Sequence, residues 1–207
     1  MARRNPALDE KIIAAARAEF LEKGYQGASL RPIAERAGAT VGAIQIRYKT
    51  KDALLRALLT PFLSEIEGVF QATKTEYWQY PPSERLAFIE KSMKMESEAI
   101  LSLIFDHYDD AVLLLCKSEG SSLADCFDQI VARKVAESEA FFSALDAEPF
   151  DGELLRLLIG AQFYSYRQIV QNGYERDAAK RAMQALMRYH MGGWTALLNA
   201  SREDERT

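Results

Sequence analysis

An all-α fold is predicted, with a short helical head followed by a larger helical body, and three features of the sequence predict it. Apolar residues recur at three- and four-residue spacing along most of the 207 residues, the period of amphipathic helices. Turn formers are few (6 Pro, 11 Gly) and fall in a handful of clusters, whereas an all-β chain would need them at short, regular intervals. Charge is divided unevenly. Residues 1–60 hold eleven basic and six acidic side chains, a net +5, which leaves fifteen basic and twenty-four acidic residues, a net −9, for the rest. A basic head on an acidic body fits a chain of which only the head meets phosphates. A hydrophobic content of 48% is enough to bury a core, so wholesale disorder is excluded.

Ile13, Ala16, Phe20 and Leu21 make the apolar face of the first helix, and Gly24 is its expected left-handed end. Ser29 is a candidate N-cap for a short second helix, Leu30 to Ala37, with Pro32 in its first turn and Gly38 after its end. Thr40 is the next N-cap, for a helix of about two turns through Tyr48. Two short helices joined by a tight, Gly-containing turn are a helix-turn-helix pattern. Beyond it, longer amphipathic stretches run roughly over 52–76, 83–106, 109–118, 122–145, 151–172 and 175–199. Pro61 is expected to kink or split the first of these. Breaks fall at Tyr80 to Ser83, Lys117 to Ser122, Glu148 to Gly152 and Asn172-Gly173.

The last two helices are apolar over much of their circumference. Leu154, Leu158, Ala161, Ser165 and Ile169 line one side of the first, and Leu155, Ile159, Phe163, Tyr166 and Val170 much of the rest. Met183, Leu186, Met187, His190, Trp194, Leu197 and Leu198 keep helical spacing in the second. Small residues Gly160, Ala161, Gly192 and Gly193 permit close approach. Such helices serve either a monomer core or a two-fold interface between copies.

The stretch from Lys11 to Tyr25, ending Phe20-x-x-x-Gly24-Tyr25, then Ala28-Ser29-Leu30-Arg31-Pro32-Ile33-Ala34-Glu35-Arg36-Ala37-Gly38, resembles the opening of TetR-family transcriptional regulators. The resemblance continues through Thr40, Gly42, Ile44, Tyr48, Lys51 and Leu54-Leu55 and covers residues 11–57. It implies a DNA-binding helix-turn-helix domain over 1–51 and a helical effector-binding and dimerisation domain over 52–207. It further implies a homodimer joined through the last two helices, on a palindromic operator in double-stranded DNA, most often as a repressor released by a small-molecule effector. An effector acts in such a dimer only by binding one spacing of the two heads better than another. The main alternative is a ligand-insensitive DNA-binding scaffold that recruits a protein partner.

On this reading the N-terminus of the third helix and Thr40 meet phosphate. Val41, Ala43 and Gln45 face base edges, with Gly42 allowing close backbone approach. Arg47, Tyr48 and Lys51 bind phosphates, and Arg31 reaches the DNA backbone or a flanking base. Arg3 and Arg4 are candidates for a minor-groove arm. Gln45 and Arg47 depart from the Tyr and His usual in relatives, and Ala39-Thr40 from Val-Ser, so operator preference does not transfer from relatives. For the effector, the candidates are aromatic or polar side chains on apolar helix faces: Trp78, Met93, Phe105, His107, Phe127, Phe163, Tyr164 and Arg167. Arg167, if buried on so apolar a helix, calls for a carboxylate partner, such as an intersubunit ion pair, or an acidic ligand.

Other chemistries find little support. Asp106-His107-Tyr108-Asp109-Asp110 concentrates metal-ligating side chains, but neighbours on a helix diverge and metal ligands must converge, so no metal is expected. Cys116 and His107 lack the spacing of a nucleophile and its base, and no oxyanion loop is present, so neither an enzyme nor a cofactor is expected. Cys116 and Cys126 are the only cysteines and form no C-x-x-C pair. Two arginines near the N-terminus precede no apolar run, and no apolar stretch is long enough to span a bilayer. A cytoplasmic protein without membrane attachment is therefore expected.

Overall fold

The computed structural model describes residues 5–143 and 151–204, and every regular element among them is a helix. In chain order these are α1 (Pro6–Gly27), α2 (Leu30–Ala37), α3 (Val41–Tyr48), α4 (Lys51–Gln79), α5 (Pro82–Asp106), α6 (Tyr108–Cys116), α7 (Cys126–Ser143), α8 (Gly152–Gln171) and α9 (Arg176–Asp204). Arg3 and Arg4 lie outside the described residues.

Two compact units are formed. The first comprises residues 1–65 and 107–126, the second residues 66–106 and 127–207. The division therefore falls within α4, after Glu65, and not at the start of that helix. The reason is local: Asp52 accepts from the Ser122 backbone N–H and hydroxyl, both at 2.7 Å, and His107 Nε2 lies 3.3 Å from Glu65. These bonds tie the first half of α4 to the segment around α6.

In the first unit α1 packs on α2 and α6, and α2 on α3. The buried stripe of α1 is Ile12, Ala15, Ala16, Glu19 and Phe20. It is centred one residue earlier than the expected Ile13–Leu21 face, because Ile12 takes the fully buried position. Gly24 breaks the regularity of α1 with φ 66° and ψ 169°, a conformation that a Cβ would strain, and the helix resumes to Gly27. Gly38, at φ 63° and ψ 36°, ends α2 and donates back to the Ala34 and Glu35 carbonyls. Ser29 stands at the N-cap of α2 in extended conformation but makes no side-chain capping bond there.

Pro61 does not split α4, which runs unbroken from Lys51 to Gln79. The proline lies on the exposed side of the helix, where water can serve the carbonyl that its missing N–H leaves unpaired. In the second unit α9 packs on α5 and on α8. Leu155, Phe163 and Tyr166 of α8 and Ala179, Met183 and Met187 of α9 are buried within this unit. No helix of the described residues is long and apolar enough to cross a membrane.

Candidate nucleic-acid interface and cavities

The interface candidate is built on the eight residues of α3. Its N-cap, Thr40, is extended, and its hydroxyl accepts from the Ala43 N–H at 3.1 Å, satisfying one of the unpaired donors at the helix start. Ile44 and Tyr48 are buried and fix which way the helix faces. Tyr48, expected to reach phosphate, is thus a core side chain. The open face carries Gly42, Gln45 and Ile46, with Val41, Ala43 and Arg47 at its margins. Ile46, 83% exposed, was not among the residues singled out from the sequence. Its spacing of i+4 from Gly42 was the available signal.

The cations of this unit are largely engaged within it. Arg47 Nε lies 2.8 Å from the Asp9 carboxylate and its NH1 donates to the Ala43 carbonyl at 3.1 Å, with only 16% of the side chain exposed. The ammonium of Lys51 donates to the carbonyls of Tyr25 (2.6 Å) and Ala28 (2.9 Å), at the end of α1, and lies 4.3 Å from the Tyr25 ring centroid. Arg17 is paired with the buried Asp110. Arg36 bonds Glu22 at 2.7 Å, and Lys23 and Arg36 together hold the Glu22 carboxyl at about 2. Arg31 bonds Glu35, but both side chains are well exposed, so the pair exchanges readily for a phosphate. Lys11 and Lys49 are exposed and make no ion pair among the described residues.

Two cavities lie among the described residues of the second unit. One, of about 580 Å³, is walled by Trp78, Ile89, Met93, Ile159, Phe163 and Trp194, with Glu96, Arg133, Lys134 and Gln162 among its polar lining. Lys134 lies 2.7 Å from Glu96 and 4.3 Å from the Phe70 ring centroid, and both members of the pair are nearly shielded from water. Burial pushes the Glu96 carboxyl up, against the pull of Lys134. Arg133 bonds Glu67, while its Nε–H is buried without a partner. The other cavity, of about 890 Å³, lies between α5 and α9, over Leu101, Phe105, Met183, Met187 and Met191.

Of the effector candidates, Trp78, Met93 and Phe163 line the smaller cavity and Phe105 the larger. Phe127 meets the Phe163 ring, centroids 6.4 Å apart. His107 lines neither and sits in the first unit, against Glu65 and the Phe62 ring. Tyr164 also lines neither and is 50% exposed. Arg167 is exposed on α8, so it needs no buried partner, because Leu155, Ile159, Phe163 and Tyr166 occupy the inward face. Glu96, Arg133 and Lys134 escaped the sequence reading, and Trp194 was read there only as part of the apolar spacing of the last helix. The inward spacing of Ser92 and Glu96 on α5 was the one cue to Glu96.

Residues 12–58 match the family model described as bacterial regulatory proteins, tetR family. The N-terminal region is thus of the TetR type. A helix-turn-helix of this type is a DNA-binding element. Solved structures extend the likeness of fold over most of the chain's length. A TetR-like regulator from Rhodococcus sp. RHA1 superposes with a TM-score of 0.63 at 16% identity, covering 92% of this chain and 99% of that one. NalD, the secondary repressor of the MexAB-OprM multidrug efflux pump in Pseudomonas aeruginosa, gives 0.62 at 18% identity, with 88% and 94% covered. FadR from Bacillus subtilis, solved in complex with stearoyl-CoA, gives 0.53 at 20% identity, with 86% and 96% covered. No curated protein matches the chain.

Proposed function

We propose that the protein is a cytoplasmic, non-enzymatic repressor that binds a palindromic operator as a homodimer and is released by a small molecule held in its second unit. The observation that carries the reading is the exposed, Thr40-capped face of α3 within a TetR-type helix-turn-helix. In this reading residues 1–51 read DNA and the helical remainder senses and dimerises. Thr40 and the first N–H groups of α3, with Arg31 and Lys49, meet phosphate, and Val41, Gly42, Ala43 and Gln45 approach base edges. Arg47 and Lys51 shape this surface from behind, through Asp9 and the end of α1.

Two observations support the remaining parts. The apolar 580 Å³ cavity, with its few buried charges, has the size and lining of a small-molecule site and favours an effector over a ligand-insensitive scaffold. Leu157 (71% exposed), Tyr164 and Tyr189 (77% exposed), together with Ala161, Gly192 and Gly193, give α8 and α9 an open apolar face suited to a two-fold contact.

Selection of binding sites from random duplex DNA by the purified protein tests the reading. A palindrome with half-site centres about one helical turn apart, roughly 34–36 Å, is the expected product. A folded protein that enriches no sequence overturns it. The chain's two tryptophans, Trp78 and Trp194, both line the cavity, so effector binding is expected to change intrinsic fluorescence at the concentrations that release the selected DNA.

A further inference from the structure

The side chains that α3 shows to solvent have a common character. Gly42, Gln45 and Ile46, at i, i+3 and i+4, form its open face, opposite the buried Ile44 and Tyr48. Ile46 is the most exposed large apolar side chain among the described residues. A single apolar group in water is ordinary, but this one stands beside Gln45 on the helix that enters the groove. The same face lacks charge. Arg47, the cation within α3, is held by the Asp9 carboxylate and the Ala43 carbonyl, and Lys49 follows only at the C-cap, the end away from Thr40. The Thr40 oxygen accepts from the Ala43 N–H.

In the major groove guanine is read chiefly by Arg or Lys on O6 and N7. Adenine is read by Gln or Asn on N6 and N7, and thymine through apolar contact with its C5-methyl. We propose that this face reads A·T pairs: the Gln45 amide bonds adenine N6 and N7, and the Ile46 side chain packs on the C5-methyl of thymine in the same or the adjacent pair. The core of each half-site is then A·T and not G·C. This rests on the DNA-binding reading above and adds the base chemistry to it.

Uracil pairs as thymine does and lacks only the C5-methyl, so it isolates the Ile46 contact. The full-length protein is used to select from a thymine library, and affinities are then measured for the enriched duplex with uracil replacing each core thymine in turn. Loss of one buried methyl weakens wild-type binding about fourfold per contact. Ile46→Ala is expected to bind the thymine and uracil forms alike. Gln45→Ala is expected to lose the preference for adenine while keeping the thymine-to-uracil ratio. Ile46 is in water, so its removal leaves the thermal melt unchanged, which separates lost recognition from lost fold. A G·C half-site core, a wild type indifferent to every uracil, or an Ile46→Ala variant that keeps the thymine preference overturns the proposal while DNA binding stands. Failure to enrich any sequence overturns the DNA-binding reading itself, and this proposal with it.

Discussion

The ammonium of Lys51 reaches the carbonyls of Tyr25 and Ala28 where α1 ends and its last carbonyls lack helical partners. A cation there both fills hydrogen bonds and opposes the negative end of the helix dipole. From sequence the same lysine looks like a phosphate ligand, since spacing shows its charge and not its partner. Lys51→Met keeps the aliphatic stem and removes the donors. It is expected to cost about 2 kcal/mol, the scale of hydrogen bonds to charged groups, seen as a lower urea midpoint with an unchanged slope. A variant of wild-type stability that had lost DNA affinity would instead make Lys51 a direct contact.

Among the elements, α3 is the most dependent on its ends. Eight residues form a marginal helix in isolation, so the Thr40 cap and the burial of Ile44 and Tyr48 hold it in place. Thr40→Ala is expected to destabilise the protein by about 1 kcal/mol and to weaken DNA binding, with Thr40→Ser restoring both. Denaturant titration and a duplex-binding assay of the two variants check this. The cap was legible in the sequence, as were Gly38 and the run of long helices, because backbone chemistry at these sites is decided by residues close by in the chain; Gly24 was legible as a positive-φ position but not as the helix end, which lies at Gly27. The register of α1 was legible only to within one residue, because Ile12 and Ile13 are equal in composition and only packing on α2 and α6 chooses between them. Pro61 was read as a kink or a split because its fate depends on which side of α4 faces water. The charged lining of the smaller cavity was least legible: Arg133 and Lys134 resemble surface residues until Glu67 and Glu96 are seen beside them.

At the scale of the whole molecule, the exposed apolar face of α8 and α9 bears on assembly. Leu157 and Tyr189 are both largely in water in a single chain, whereas Met183 and Met187 face the interior of their own unit and are not available to a partner. Leu157→Asp and Tyr189→Asp are each expected to shift sedimentation from dimer to monomer at micromolar protein and to leave the helical signal in circular dichroism intact. A dimer that persists in both variants would place the contact elsewhere.

The uncharged face of α3 separates two properties that cationic readers combine. Attraction to the phosphate backbone weakens as counterions accumulate, but an amide on adenine and an isoleucine on a methyl group have no counterions to release. Raising the ionic strength should therefore thin the protein's occupancy of all DNA together, while its preference for one sequence over another stays nearly constant.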